Sequence, residues 1–286
     1  MTRKPFKWSV AMDHTILILG AIFMVGPVLL VFLTSSYDDI EIAKTGLQFG
    51  WGDKFVQNWN NALNETSGFT GTINGWVMLK NSFILGIGFA LGKIVISMMA
   101  AYAIVYFRFR FAVPAFWVIF TTLLLPLEVR ILPSYEITQQ MGLVNTYTGL
   151  IIPLIASATG TFFFRQFFRS IPEELVEAAR IDGAGPVKFF IDIIVPLSRT
   201  MIAAIFIIMF VYGWNQYLWP TLITTEEGLF TLVRGIKQIM FSFTDGNTIP
   251  EFGVAMALAI LAMLPPVLIV IFFQSWFVKG LVDSDK

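Results

Sequence analysis

The sequence contains no cysteine, one histidine and little charge. Its 286 residues are 13% charged and 56% hydrophobic, with a mean hydropathy of +0.75, whereas a soluble domain carries about 25% charged residues. The lack of cysteine excludes disulfides and thiolate metal sites, and His14 alone does not supply the ligands of a metal site. Because the formal net charge is zero, there is no basic footprint for nucleic acid. The low fraction of charged residues and the high mean hydropathy indicate an integral membrane protein.

Motifs for catalysis and for nucleotide binding are also missing. Residues 88–93 resemble a phosphate-binding loop, but too few residues separate the glycines, and Ile94 stands where that loop needs serine or threonine. The predicted spans contain no Glu-x-x-His, no Gly-x-Ser-x-Gly and no His-Asp cluster. We therefore expect a chain that is not an enzyme and holds no cofactor or metal of its own. Gly88 and Gly92 are instead typical of close helix packing.

Long hydrophobic runs, in contrast, are abundant. Each approaches the roughly 20 residues that a helix needs to cross a bilayer. The runs cover residues 14–33, 81–106, 112–132, 147–168, 197–219 and 252–277. They predict an all-α, polytopic membrane protein with six transmembrane helices, the sixth kinked at Pro265 and Pro266.

Lysine and arginine orient these spans. If the N-terminus is cytoplasmic, twelve of the nineteen basic residues fall in segments on the cytoplasmic side, six fall on the opposite side, and Lys93 lies within a span. Cytoplasmic segments carry such an excess. We therefore expect both termini, and the segment 169–196, on the cytoplasmic side.

The segment 169–196 is the longest polar interruption among the later runs. Ser170 and Glu173 predict a capping box at the start of a short helix, with Pro172 in its first turn. Gly183 favours the left-handed conformation that ends a helix, and a glycine–proline pair then predicts a second helix. The result is two short helices at a membrane surface, with small alanines that allow close approach by a partner.

The same segment carries a spaced motif, E-A-A-x3-G-x9-I-x-L-P, with valine in place of the leucine. The matching residues are Glu177, Ala178, Ala179, Gly183, Ile193, Val195 and Pro196. The chain thus resembles the permease subunits of binding-protein-dependent ABC importers of the carbohydrate-uptake type. This resemblance implies a bacterial inner-membrane protein with a five-helix core made by spans two to six. It also implies a coupling helix that docks on an ATPase subunit, with Glu177, Ala178, Ala179, Asp182 and Gly183 as its coupling residues.

Shorter stretches extend the resemblance over most of the chain. Residues 101–103 (AYA) and 108–111 (RFRF) resemble the end of the family's second core helix. Residues 164–168 (FRQFF), 213–220 (GWNQYLWP) and 280–284 (GLVDS) resemble the second permease subunit of sn-glycerol-3-phosphate importers.

The resemblance implies a set of partners and a function. The partners are a second permease subunit in a heterodimer, two ATPase subunits that bind ATP and Mg, an external or periplasmic substrate-binding protein, and membrane lipid. The implied function is import of sn-glycerol 3-phosphate or glycerophosphodiesters by alternating access. The alternative is import of neutral oligosaccharides of the maltose, trehalose or glucoside type. We expect an N-terminal tail, first transmembrane helix and external loop over 1–76, the permease core over 77–278, and a cytoplasmic tail over 279–286.

Three polar residues are candidates for the substrate pathway. Lys93 lies near the middle of an apolar run, where a charge needs a partner or a watery cavity. It either contacts an anionic substrate or is a packing cation bound to a helix carbonyl or to a carboxylate such as Glu128. Asn215 and Gln216 lie late in the fifth run. They either line the pathway or form interhelical hydrogen bonds within an aromatic belt.

Overall fold

The computed structural model describes residues 8–65, 69, 73–107, 109–241 and 249–282. Every regular element in these ranges is helical, so the all-α prediction is confirmed. The α-helices are α1 (Trp8–Thr34), α2 (Asp39–Thr45), α3 (Phe55–Asn64), α4 (Gly75–Tyr106), α5 (Ala112–Thr121), α6 (Leu127–Gln140), α7 (Tyr147–Ile151), α8 (Ala158–Ser170), α9 (Glu173–Ile181), α10 (Pro186–Phe189), α11 (Val195–Leu197), α12 (Arg199–Trp214), α13 (Leu218–Ile223), α14 (Leu232–Phe241) and α15 (Phe252–Val282). Arg108 of the RFRF stretch, residues 1–7 of the N-terminal tail and residues 283–286 of the C-terminal tail lie outside the described residues.

Three of the helices are long and apolar enough to cross a membrane without a break. The spanning segments are Met12–Thr34, Gly75–Tyr106 and Phe252–Gln274, with mean hydropathies of 2.9, 2.0 and 2.7. At about 1.5 Å per residue, each is longer than the roughly 30 Å hydrocarbon core. Helix α15 continues through Pro265 and Pro266, so the kink expected there does not break the helix.

Three further candidate spans are bent pairs of helices, the last of which begins at Pro186, before the predicted run 197–219. They are Ala112–Leu124 with Glu128–Gln140, bent by 107°, Tyr147–Leu154 with Ala158–Ser170, bent by 52°, and Pro186–Leu197 with Arg199–Trp214, bent by 74°. If each pair counts as one span, the described chain has six, as predicted. Hydropathy identified the apolar runs but not the breaks within them. One break lies at Pro126, which precedes α6, and another at Ser157, whose hydroxyl accepts a hydrogen bond from the Gly160 N–H (3.1 Å).

The predicted fifth span ends earlier than its hydropathy suggested. Helix α12 ends at Trp214, and a separate helix, α13, begins at Leu218. The run 197–219 is therefore not one helix. Asn215 caps α12 at its carboxyl end, and a short non-helical link follows it.

The chain divides into two compact units, one of which contains Met1–Trp76 and Gly235–Met263. Asn58 stabilises this unit, because its amide nitrogen donates to the carbonyls of Ser35 and Tyr37, each at 2.9 Å. The Trp59 indole donates to the Ser35 hydroxyl (3.0 Å). These bonds hold α3 against the turn that follows α1.

The other unit contains Val77–Arg234 and Leu264–Lys286. Its buried apolar cluster includes Leu85 and Phe89 of α4 together with Leu150 and Trp219. The Trp219 indole donates to the carbonyls of Gly149 and Leu150, at 3.1 and 3.2 Å. This pairing lets a buried tryptophan keep its polar atom satisfied.

Glycines set the helix separations in this second unit. A Cβ at Gly88 or Gly92 would meet Ile151 or Ile155, at 2.6 and 2.5 Å, and a Cβ at Gly213 would meet Phe89 at 3.0 Å. The absence of side chains at these positions allows α4 to pack closely. The interpretation of Gly88 and Gly92 as packing residues is confirmed.

Gly149 lies against the backbone of Leu143, and we expect Gly149→Ala to destabilise the protein. A Cβ there would overlap the backbone carbonyl of Leu143, which cannot rotate away as a side chain can. Overpacking costs about 1–3 kcal/mol, more than the roughly 1 kcal/mol that alanine gains over glycine in a helix. The measurement is the thermal unfolding midpoint in detergent. Gly20→Ala in α1 is the matched control because a Cβ there meets nothing within 4 Å, and an equal midpoint for both variants would contradict the packing argument.

Candidate functional site

The polar segment 169–196 contains a short helix, a turn and a second helical stretch, as predicted. Its start differs from the predicted capping box. Helix α8 extends to Ser170, whose hydroxyl donates back to the Phe167 carbonyl (2.7 Å), so Ser170 does not cap the next helix. Pro172 occupies the cap position of α9, without a capping side chain. The capping-box prediction was wrong, because Ser170 belongs to the last turn of α8 and its hydroxyl bonds back into that helix.

The end of α9 agrees with the prediction. Gly183 has φ +74°, the left-handed conformation that favours glycine. The Gly183 N–H donates to the Arg180 carbonyl (3.0 Å), and the Ala184 N–H donates to the Ala179 carbonyl (2.9 Å). This pair of bonds is the Schellman motif. A second helical stretch begins at Pro186 and contains a π-helical segment, Phe190–Ile194.

The predicted coupling residues divide by exposure. Glu177, Ala178, Asp182 and Gly183 are exposed, whereas Ala179 is buried within the chain. The small side chain of Ala179 therefore allows close packing inside this chain. The other four residues form a surface that a partner can reach.

Large apolar side chains accompany these residues on the outside of the segment. Ile181 is 86% exposed and Val187 is 72% exposed, and Leu175 and Ile191 are also exposed. Apolar surface of this kind, next to charged residues, is typical of a protein interface.

The sequence did not reveal how the segment is anchored. The Tyr102 hydroxyl donates to the Pro186 carbonyl (2.8 Å), and the Tyr106 hydroxyl donates to the Phe168 carbonyl (3.2 Å). The Tyr102 ring also packs on Phe190, with centroids 4.9 Å apart. The last turns of α4 thus hold the segment at Pro186 and hold the end of α8 just before the segment begins. Tyr102 belongs to the AYA stretch, so this stretch was the sequence feature that could have indicated the anchor.

A cavity of about 520 Å³ lies elsewhere in the same unit, and Lys93 and Arg130 both line it. Its polar lining also includes hydroxyls of Thr122, Thr159 and Tyr212, and none of the described residues that line it is a carboxylate. Two cations and several hydroxyls therefore face one space.

Lys93 shows features of both interpretations. It is 7% exposed, and its Nζ donates to the Ala156 carbonyl (3.1 Å) and lies 4.5 Å from the centroid of the Phe89 ring. The Phe89 ring in turn packs on Tyr212, with centroids 5.6 Å apart. The carbonyl bond fits a packing cation, while the place in the cavity fits a pathway residue. A lysine ammonium has three donors, so one carbonyl does not use its full capacity.

Asn215 and Gln216 lie apart from this cavity. The Asn215 amide donates to the Val211 carbonyl (2.9 Å), and the Gln216 amide donates to the Tyr212 carbonyl (3.3 Å). Both side chains bond within one turn of their own segment. Arg130, by contrast, lines the cavity together with Lys93, a proximity that the sequence does not reveal.

Comparison with known proteins agrees with this architecture. The family described as "Binding-protein-dependent transport system inner membrane component" matches residues 83–283. The permease proteins UgpE of the sn-glycerol-3-phosphate transport systems of Rhizobium meliloti (strain 1021) and Agrobacterium fabrum are each 48% identical over 273 residues. The Yersinia pestis protein of the same name is 46% identical. Each alignment covers 96% of both chains.

A solved structure shows the same fold. It is a chain from the crystal structure of a bacterial ABC transporter involved in the import of the acidic polysaccharide alginate, with a TM-score of 0.78 at 19% identity. The match covers 96% of this chain and 100% of that chain. The family match covers more than half of the residues, and the six candidate spans agree with it. The chain therefore belongs to the family of binding-protein-dependent transport system inner membrane components, the permease subunits of ABC importers.

Proposed function

We propose that this chain is the permease subunit of an ATP-driven importer of sn-glycerol 3-phosphate or glycerophosphodiesters. The observation that carries the proposal is the pair Lys93 and Arg130 on one cavity, with no carboxylate among the lining residues that the structure describes. Relatives 46–48% identical over nearly the whole chain are permeases of sn-glycerol-3-phosphate transport systems, which supports the same substrate.

Electrostatics favours a phosphate ester over a neutral sugar in such a cavity. A phosphomonoester carries about −1.5 to −2 charges at neutral pH. One cation about 4 Å from a unit negative charge contributes up to about 4 kcal/mol at an effective dielectric constant of 20. A neutral oligosaccharide gains almost none of this attraction. The hydroxyls of Thr122, Thr159 and Tyr212 suit the hydroxyls of a glycerol moiety.

The coupling role follows from the exposed surface of α9. Glu177 offers a charge, Ala178 allows close approach, and Ile181 offers an apolar anchor at the edge of that surface. The turn at Gly183 sets the direction in which the chain leaves the helix. An ATPase subunit with a complementary groove would dock here, and a movement of that subunit would pass to α4 through the Tyr102–Pro186 hydrogen bond.

The assembly contains a second permease subunit, two ATPase subunits and an external substrate-binding protein. ATP and Mg belong to the ATPase subunits, and this chain has no catalytic role. Rigid-body motion of the subunits then exposes the cavity to each side of the membrane in turn. Residues 1–76 form the tail, first helix and external loop, residues 77–278 form the permease core, and residues 279–286 form the cytoplasmic tail.

Topology supplies a first experiment. In the proposed orientation both termini and α9 are cytoplasmic, and α3 is external. Asn60 and Gly185 are exposed, and the natural chain lacks cysteine, so single cysteines report cleanly. We expect Asn60→Cys to react with an impermeant thiol reagent in intact cells, and Gly185→Cys to react only after the membrane is opened. Labelling of Gly185→Cys from outside would contradict the orientation.

Uptake by cells supplies the functional test. We expect cells that lack this chain, but keep its partner subunits, to lose accumulation of labelled sn-glycerol 3-phosphate and to regain it on re-expression. Excess unlabelled phosphate ester should compete for that uptake, and maltose should not. Competition by maltose at the same excess would favour the neutral-sugar alternative.

A further inference from the structure

A second cavity, of about 450 Å³, lies where the carboxyl ends of α4 and α8 meet α9. We refer to it as the arginine cavity, because Arg165 and Arg169 of α8 and Arg180 of α9 line it, together with Glu173. Three guanidinium groups thus share one space with one carboxylate. This cavity is distinct from the space lined by Lys93 and Arg130, and the proposed function assigns it no ligand.

The spacing of the arginines concentrates positive charge on one side. Arg165 and Arg169 are four residues apart on a helix, so they lie on the same face, where like charges repel. Arg180 adds a third positive charge from a different helix. A bound anion would relieve this repulsion and connect the two helices.

Arg165 is incompletely hydrogen-bonded within the described part of the chain. Its guanidinium stacks on the Phe116 ring, with Cζ 3.9 Å from the ring centroid. Stacking leaves the in-plane N–H groups free to donate. The Nε is buried and has no hydrogen-bond partner in the described part of the chain, and a buried donor of this kind is normally satisfied.

We propose that the arginine cavity binds a phosphate group, carried by an anionic phospholipid headgroup or by a soluble phosphate. The planar guanidinium matches two phosphate oxygens at once. The cavity lies at the ends of helices that belong to spanning segments, the depth at which lipid phosphates lie and at which basic pockets between helices bind headgroups.

Binding at this place affects the segment next to it. The phosphate bridges α8 to α9 through arginines on both helices. Helix α9 carries the exposed Glu177, and its motion relative to α8 becomes restricted. The bound phosphate therefore stabilises the position of α9, and with it the polar segment 169–196, relative to α8.

Native mass spectrometry and calorimetry test the proposal on the chain purified with the subunits that accompany it. One arm adds phosphatidylglycerol, with phosphatidylcholine as the neutral comparison, and counts bound lipids. The other arm titrates inorganic phosphate. We expect specific binding in at least one arm, and the arm that shows binding identifies the source of the phosphate. Neither arm uses the transported substrate, so the result is independent of the proposed function.

Matched variants decide the location of the binding. Loss of charge-assisted hydrogen bonds should weaken binding at least about tenfold in the double variant Arg165→Gln, Arg169→Gln. Arg199→Gln is the control, since Arg199 is an exposed arginine that does not line the cavity, and it should bind as the wild type does. If the double variant does not assemble, Arg180→Gln on α9 takes its place in the same measurement.

Three outcomes overturn the proposal. The first is equal affinity in the cavity variants and in Arg199→Gln. The second is the absence of binding of both phosphatidylglycerol and phosphate to the wild type. The third is loss of accompanying subunits from the arginine variants without any bound phosphate, which would make the cavity a protein interface.

Discussion

Lys93→Met should lower the uptake of sn-glycerol 3-phosphate at least about tenfold, with the complex still assembled. The substitution keeps the length of the side chain and removes the cation that lies over Phe89 and lines the cavity. Tenfold corresponds to about 1.4 kcal/mol, well below the upper limit of about 4 kcal/mol for a charge pair near 4 Å at a dielectric constant of 20. The measurement is the initial rate of labelled uptake, normalised to the amount of chain in the membrane.

The control for this experiment is another lysine of the same helix. Lys80 is exposed on α4 and does not line the cavity, so Lys80→Met should transport at the wild-type rate. Lys93→Arg keeps the charge and should retain part of the uptake. If Lys93 is only a packing cation for the Ala156 carbonyl, Lys93→Met will either reduce the amount of assembled complex or leave uptake unchanged. Unchanged uptake by a fully assembled complex would remove Lys93 from the pathway.

Gly183→Val should abolish ATP-driven uptake while the external binding protein keeps its affinity for the substrate. The φ of +74° at Gly183 places a β-branched residue in a strained left-handed conformation, at a cost of about 1–3 kcal/mol. Relief of that strain breaks the Schellman bonds that end α9 and redirects the chain towards Pro186. The surface around Glu177 would then no longer match a docking groove.

Gly185, two residues after Gly183, tests whether the left-handed conformation, and not the mere loss of a glycine, causes the loss of uptake. Gly185 has φ −69°, and a Cβ there meets nothing within 4 Å, so Gly185→Ala should transport normally. Glu177→Lys reverses a charge on the exposed face without affecting the turn and should also uncouple ATP hydrolysis from uptake. Normal uptake by both Gly183→Val and Glu177→Lys, at normal membrane levels, would refute the coupling role of α9.

The sequence predicted the number of apolar runs and the turn at Gly183 because both depend on local composition. Apolar runs of spanning length and a glycine at a helix end are features of short stretches. The breaks at Pro126 and Ser157, and the early end of α12 at Trp214, were not predicted. Hydropathy averages over a window and does not detect where hydrogen bonding within a helix stops.

Prediction of the candidate sites was limited in the same way, because the sequence shows local features and not contacts between distant residues. Lys93 was identified because a charge in an apolar run is conspicuous. Arg130 was not linked to it, because the two residues come together only through packing of α4 against α6. The anchoring hydrogen bond from Tyr102 to the Pro186 carbonyl joins residues 84 positions apart, and neither residue alone reveals it.

Transport by the purified complex tests the central claim most directly. The chain, its partner permease and the ATPase subunits are placed in proteoliposomes with ATP on the ATPase side. The binding protein and labelled substrate are then added on the opposite side. We predict ATP-dependent movement of sn-glycerol 3-phosphate towards the ATPase side and none of maltose presented with the same binding protein. Movement of maltose at a similar rate, or phosphate-ester movement that continues without ATP, would contradict the account.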